Sequence, residues 1–153
     1  MLLNVDPVLS PELLSVLRSM GHGDRLVLCD ANYPAVSTSN RVIRMDGVNI
    51  PRAAEAILSV FPLDSFIPNP VSRMEIDGNP DLINEVQKKL IEIVEKVSGS
   101  NWSVGSTDRQ LFYKEAKESF ATVVTSDTRP YGCFIFTKGV IKPDGSVWIL
   151  NDD

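Results

Sequence analysis

Apolar residues recur at helical spacing in four stretches of the chain, each with its own boundary signals. The first begins with Ser10 as the N-cap and Pro11 at the first helical position, and it is predicted to end at Gly21. In the longest, apolar residues follow one face while the opposite face is charged. The predicted helices cover about residues 10–21, 51–60, 79–97 and 108–119.

Short apolar or β-branched runs lie between these helices and predict strands. The run from Arg25 to Asp30 suits a central strand that is buried on both faces. Further strands are predicted at about residues 42–45, 71–76, 121–125, 133–136 and 147–150, with a hairpin signal at Pro143-Asp144-Gly145. The alternation predicts an α/β fold, a three-layer sandwich with a mostly parallel sheet and a C-terminal antiparallel pair. The 153 residues are expected to form one domain, residues 1–153.

Composition and charge exclude several classes of function. Fifteen Lys and Arg against 20 Asp and Glu give a formal charge of -5, which disfavours nucleic acid as a partner. No stretch approaches the roughly 20 apolar residues that a membrane span needs, and the opening residues lack the features of a secretory leader. A cytoplasmic protein is therefore expected. Cys29 and Cys133 lie far apart in apolar runs, which is typical of reduced packing thiols.

His22 is the only histidine, and it lies between Gly21 and Gly23, where a ligand can approach the backbone without obstruction. It could equally fall in a surface loop without a role. Asp30 follows the predicted central strand, at the edge where ligands bind in open α/β sheets. Its alternative role is to cap the turn through Asn32 with a side-chain oxygen.

Arg109, Tyr113 and Tyr131 could each direct a donor or a ring into a sugar pocket. The alternatives are an ion pair of Arg109 with Asp108 or Glu115, and ordinary half-buried packing for both tyrosines. The sequence contains no Gly-rich phosphate loop, nucleophile elbow or histidine and cysteine metal cluster. No metal site or cofactor is expected, although a hard-cation site built from Asp24 and Asp30 stays open.

Seven segments, taken in order, resemble one known family. The chain is similar to the L-fucose mutarotase branch of the FucU/RbsD family, in which these segments carry the match: SPELL (10–14), MGHGD (20–24), CDANYPA (29–35), IRMDG (43–47), LDSF (63–66), FYKEAK (112–117) and YG (131–132). The resemblance implies an α/β fold with a mostly parallel sheet, assembled as a decameric toroid with active sites near subunit interfaces. It also implies an isomerase that interconverts the anomers of L-fucose or a related monosaccharide without a cofactor.

The resemblance assigns roles to individual residues. His22 matches the family's proton donor, and Asp30, Arg109 and Tyr131-Gly132 match sugar-contacting positions. Cys133 stands where the family commonly has asparagine, a departure that bears on sugar preference more than on the reaction. The stretch 142–153 extends beyond the shorter family members, and no function follows for it.

An imidazole suits this acid/base chemistry, because a histidine with an ordinary pKa of about 6.5 can both donate and accept a proton near neutral pH. A D-ribose pyranase-like isomerase and a non-catalytic sugar-binding module are the alternatives. A regular strand would separate Arg25 from Asp30 by more than about 10 Å, so His22 and Asp30 are not neighbours along the strand. Either the loop of His22 folds back, or a second subunit completes the site.

Overall fold

A computed structural model describes residues 1–150, which contain six strands and five helices. The strands are β1 (Arg25–Cys29), β2 (Val42–Met45), β3 (Val71–Met74), β4 (Val104–Thr107), β5 (Ala121–Thr125) and β6 (Cys133–Thr137). The helices are α1 (Pro11–Ser19), α2 (Ala35–Thr38), α3 (Ile50–Leu58), α4 (Glu85–Ser98) and α5 (Arg109–Lys117).

The strands form one sheet in the order β2-β5-β1-β6-β3-β4. Strand β6 runs antiparallel to both of its neighbours, β1 and β3, while the β1–β5, β2–β5 and β3–β4 pairs are parallel. The predicted mostly parallel sheet and its antiparallel pair are confirmed. Because β6 is reversed, the residues before it lie at the carboxyl edge of the other strands, and the residues after it lie at their amino edge.

Alternating side chains of the central strands form two apolar layers. Leu26 and Leu28 face α1, α3 and α4, whereas Val27 and Cys29 face α2 and α5. Helices therefore cover both faces of the sheet, as a three-layer sandwich requires. No helix within residues 1–150 is both long enough and apolar enough to cross a membrane.

Two element predictions were wrong, and strand β4 was not predicted. The strand predicted over 147–150 is absent, and Val147 forms only an isolated bridge with Ile141. Helix α4 begins at Glu85 after an Asn84 N-cap, because the preceding carbonyls of Pro80 and Leu82 accept hydrogen bonds from Arg73 instead of starting the helix. Strand β4 had no clear signal, since all its residues are half-buried and no apolar alternation marks it.

Candidate active site

His22 lies in the loop between α1 and β1, at the amino edge of the sheet. The Gly21 amide donates to Asp24 Oδ2 at 2.7 Å, and the Gly23 amide donates to the Lys138 carbonyl at 2.8 Å. Gly23 has a φ of 83°, which a residue with a side chain rarely adopts. The backbone amides on both sides of His22 are therefore hydrogen-bonded, and these bonds fix the backbone that carries the imidazole.

Lys138, directly after β6, ties this loop to the end of α1. Its Nζ donates to the carbonyls of Leu17 at 2.7 Å and Met20 at 2.6 Å, which α1 leaves without helical partners. Burial lowers the pKa of Lys138 from its usual value. The ammonium group thus helps to fix the position of the loop that carries His22.

The ring of His22 is bound by a carboxylate from a distant part of the chain. Its Nε2 lies 3.0 Å from Asp64 Oδ1, and the His22 side chain is 45% exposed while that of Asp64 is 3% exposed. Asp64 Oδ1 also accepts the Phe66 amide hydrogen at 3.0 Å, and the Phe66 ring centre lies 5.0 Å from that of His22. An ionised carboxylate only accepts, so we assign the hydrogen to Nε2, which leaves Nδ1 free to exchange a proton.

Asp64 is the candidate site residue that sequence reasoning missed. It belongs to the LDSF segment that contributed to the family resemblance, but no role was predicted for it. Its need for a charge partner follows from its burial, which only the fold reveals. The partner could not be identified, because 42 residues separate it from His22.

A cavity of about 560 Å³ adjoins His22 at the same edge. Its lining is mainly apolar and comes from α1 and the segment after β6, with Arg18 and Lys138 as its cations. Pockets that hold polar ligands need several directed polar groups, and this one provides few. The cavity beside His22 does not by itself resemble a monosaccharide site.

Asp30 lies at the opposite, carboxyl edge, where it organises two loops. It is 4% exposed; its Oδ1 accepts the Asn32 amide hydrogen at 2.9 Å, and its Oδ2 accepts the Gly132 amide hydrogen at 3.1 Å. The Cys133 thiol donates to the same Oδ2 at 3.4 Å. The predicted alternative, a cap for the turn through Asn32, is therefore present, and Asp30 also holds the Gly132-Cys133 backbone.

Arg109 and Tyr131 line a polar cavity of about 430 Å³ at this carboxyl edge. The Tyr131 hydroxyl donates to Asp77 Oδ1 at 2.7 Å, and this bond raises the pKa of Tyr131. The predicted ion pairs of Arg109 are not what the structure shows: Glu115 lies 3.9 Å from Arg25, and Asp108 caps α5. The Arg109 guanidinium thus lines a cavity with carboxylates and a phenol, groups that bind hydroxyls well.

Tyr113 and Cys133 lie in the apolar layer behind this edge. Tyr113 stacks on Tyr33, with ring centres 5.6 Å apart and planes 18° apart, which matches the predicted alternative of half-buried packing. Burial raises the pKa of Tyr33 to about 12 and the pKa of the Cys133 thiol well above its usual value. The Tyr33 hydroxyl and the Cys133 thiol therefore remain protonated at neutral pH.

The predicted residues fall into two groups at opposite ends of β1. Asp30, Gly132 and Cys133 are in contact with one another, while His22 lies beyond the other end of the strand. At a rise of about 3.3 Å per residue, the five-residue strand places Asp30 more than about 13 Å from the His22 loop. Asp24 and Asp30 are separated in the same way, so they do not form the cation site that the sequence left open.

Comparisons with known proteins identify the family of this chain. The model of the RbsD / FucU transport protein family matches residues 3–141. The chain belongs to the RbsD/FucU family. A curated relative, the L-fucose mutarotase of Actinobacillus pleuropneumoniae, is 39% identical over 140 residues, which cover 92% of this chain and 97% of the relative.

Solved structures of RbsD/FucU proteins share the fold. The fucose mutarotase of Streptococcus pneumoniae in complex with L-fucose is 36% identical, with a TM-score of 0.85 over 92% of this chain and 100% of that one. RbsD of Bacillus subtilis complexed with D-ribose is 18% identical, with a TM-score of 0.71 over 93% of this chain and 100% of that one, and supports the fold alone. The family resemblance and the prediction of a mutarotase-like isomerase are confirmed.

Proposed function

We propose that this sugar mutarotase interconverts the α and β anomers of L-fucose or a related monosaccharide, with His22 as its proton-transfer residue. The observation that carries the proposal is the His22–Asp64 pair, an exposed imidazole bonded to a buried carboxylate at 3.0 Å. A general acid or base must be accessible to the substrate and fixed in orientation. This pair supplies both properties.

The reaction needs one proton to leave the sugar and one to arrive. Removal of the anomeric hydroxyl proton forms the carbonyl as the bond from C1 to the ring oxygen breaks, and the ring oxygen takes up a proton. Rotation of the open aldehyde followed by the reverse steps gives the other anomer. His22 exchanges protons through Nδ1, and general acid/base catalysis of this kind is typically worth about 10²-fold to 10⁴-fold in rate. Asp64 keeps the ring oriented and stabilises its charged form.

The sugar-binding groups come from the other edge of the sheet. Arg109 and Tyr131 orient the hydroxyls in the polar cavity that they line. Asp30 contributes by holding Gly132 in place, since its oxygens already accept backbone amides. Direct contact of Asp30, Tyr113 or Cys133 with the sugar stays a prediction.

His22 and the Arg109 and Tyr131 cavity lie at opposite edges of the sheet, too far apart to act on one sugar within a subunit. We therefore propose that each site is shared between two subunits of a homo-oligomer. His22 of one subunit then meets the Arg109 and Tyr131 cavity of its neighbour, in a decamer by family resemblance. The apolar cavity beside His22, with exposed Ile141 at its rim, supports packing of a neighbouring subunit there. Contacts of this kind run head to tail, and they form a ring when the rotation between neighbouring subunits closes.

Anomer exchange measured by saturation-transfer NMR tests the catalytic proposal. The wild-type protein is expected to accelerate exchange of L-fucose more than that of galactose or ribose, and His22→Ala to lose about 10²-fold or more. Faster exchange of ribose would favour the pyranase alternative. Full activity of His22→Ala would refute the role of His22, and unchanged sugar binding without any exchange would indicate a binding module.

A complementation experiment tests the shared site. His22→Ala and Arg109→Ala chains are each expected to be inactive alone. If a site combines His22 of one chain with Arg109 of another, mixed oligomers from equal amounts regain about one quarter of the wild-type activity, since that fraction of sites has both intact residues. If both residues came from the same chain, mixing would restore nothing.

A further inference from the structure

The chain continues past the family match with a segment that folds back toward His22. The match ends at Ile141, and the segment Lys142–Leu150 follows it. Ile141 bridges to Val147, and Gly145 turns the backbone between them with a φ of 87°. The Trp148 amide then donates to the Val140 carbonyl at 2.8 Å. The segment is therefore a hydrogen-bonded turn rather than a loose tail.

Ser65, next to the Asp64 that binds His22, forms two hydrogen bonds with this segment. Ser65 Oγ donates to the Trp148 carbonyl at 2.7 Å and accepts the Leu150 amide hydrogen at 2.9 Å. Ser65 lies between Asp64, which binds His22, and Phe66, which packs on its ring. The segment is thus attached to the loop that orients the imidazole.

The rings continue the same chain of contacts. The Trp148 ring packs edge-on against Phe66, with centres 5.7 Å apart and planes at 69°. Phe66 in turn packs against His22, with centres 5.0 Å apart. Trp148 and Phe66 are 46% and 43% exposed, so burial in the core does not account for their positions. Each ring restricts the next, and the row ends at the imidazole.

We propose that Trp148, which lies outside residues 3–141 matched by the family model, is a positioning residue for His22. Trp148 fixes Phe66, and Phe66 fixes the ring orientation in which His22 Nε2 bonds Asp64. The kinetic part of the proposal rests on the proposed mutarotase function, whereas the contact itself does not. An aromatic pair of this geometry changes an equilibrium by about 2-fold to 10-fold, which sets the size of the effect.

The kinetic test compares three variants by saturation-transfer NMR over a series of fucose concentrations. Trp148→Ala is expected to lower kcat by about 2-fold to 10-fold with KM within about two-fold, because an orientation is lost and not a sugar contact. Trp148→Phe keeps an aromatic ring and should restore most of kcat. Leu150→Ala is the matched control, because it shortens a side chain of the same segment and retains the backbone bond to Ser65.

The spectroscopic test uses the fact that His22 is the only histidine, so its ring resonances are identified without ambiguity. Trp148→Ala is expected to shift the His22 Cε1–H and Cδ2–H resonances as Phe66 moves, while Leu150→Ala and Trp148→Phe shift them far less. Unmoved resonances with wild-type kcat in Trp148→Ala would overturn the proposal. Equal losses in Trp148→Ala and Leu150→Ala would overturn it as well, since the segment as a whole would then matter and the ring would not.

If the wild-type protein does not accelerate anomer exchange, the proposed function fails. The ring resonances of the same variants then decide the contact on their own. A shift in Trp148→Ala alone would support it, and no difference from Leu150→Ala would refute it.

Discussion

Asp127, at the end of β5, offers a quantitative test of how the carboxyl edge is held. Its side chain is 3% exposed and accepts hydrogen bonds from Arg129 Nε at 2.9 Å and Nη2 at 2.7 Å. It also accepts the Ile50 amide hydrogen at 3.0 Å, and its backbone carbonyl accepts the Ala31 amide hydrogen at 2.8 Å. Asp127 therefore links the start of α3 to the loops that carry Asp30 and Tyr131.

The Arg129 hydrogen bonds are the main reason that the pKa of Asp127 falls from 3.8 to about 2. That difference corresponds to roughly 2 kcal/mol in favour of the folded state, or about 1 kcal/mol after allowance for screening at the 34% exposed Arg129. Because the folded-state pKa is the lower one, this stabilisation is complete above about pH 4 and is lost as the pH falls from 3.8 toward 2.

Asp127→Asn is therefore expected to lower the free energy of unfolding by about 1 to 2 kcal/mol at pH 7 and by far less at pH 2. Urea unfolding followed by circular dichroism at pH 7, 5, 4, 3 and 2, at one protein concentration, measures the difference. Asp46→Asn is the control, since Asp46 and its partner Arg44 are both exposed and the pair contributes little. A loss that is the same at pH 7 and pH 2 would refute this explanation.

Two further substitutions test the edge that carries His22. Asp64→Asn removes the negative partner of the imidazole. It should lower kcat for anomer exchange by about ten-fold to a hundred-fold, with a smaller effect on KM, because hydrogen bonds to charged groups contribute about 1.5 to 3 kcal/mol. A wild-type kcat in this variant would contradict the role of Asp64. Gly139→Ala would place a methyl group against the Leu63 carbonyl oxygen. It should lower the free energy of unfolding, measured in urea, by about 1 to 3 kcal/mol. Gly21→Ala, whose added methyl group meets nothing closer than 3.7 Å, is its control, and equal losses in the two variants would contradict the steric argument.

The elements that local signals define were predictable from the sequence. Ser10 caps α1 as its position before Pro11 predicts, and the continuous apolar run of β1 indicates burial on both faces. The signals failed where long-range contacts decide the structure. Arg73 takes the carbonyls that would begin an earlier α4, and β4 exists only because β3 offers it a partner edge.

The candidate site shows the same division. The glycines beside His22 correctly indicate an accessible loop, and the position after β1 correctly places Asp30 at the carboxyl edge. Neither pattern identifies Asp64, because the contact arises only when the loop after α3 pairs with the end of β6, where the Asp64 amide donates to the Thr137 carbonyl at 3.1 Å. Nor does the sequence indicate that Trp148 returns to the same loop.

The reversed strand β6 constrains how this chain can change its length. Its five residues are all buried, and its two ends join Gly132 at one edge to Lys138 at the other. An insertion or deletion inside β6 would exchange the faces of Phe134 and Ile135 and would displace one end relative to its partners. Length variation should therefore be confined to the loops on either side, while β6 itself admits only substitutions of similar volume.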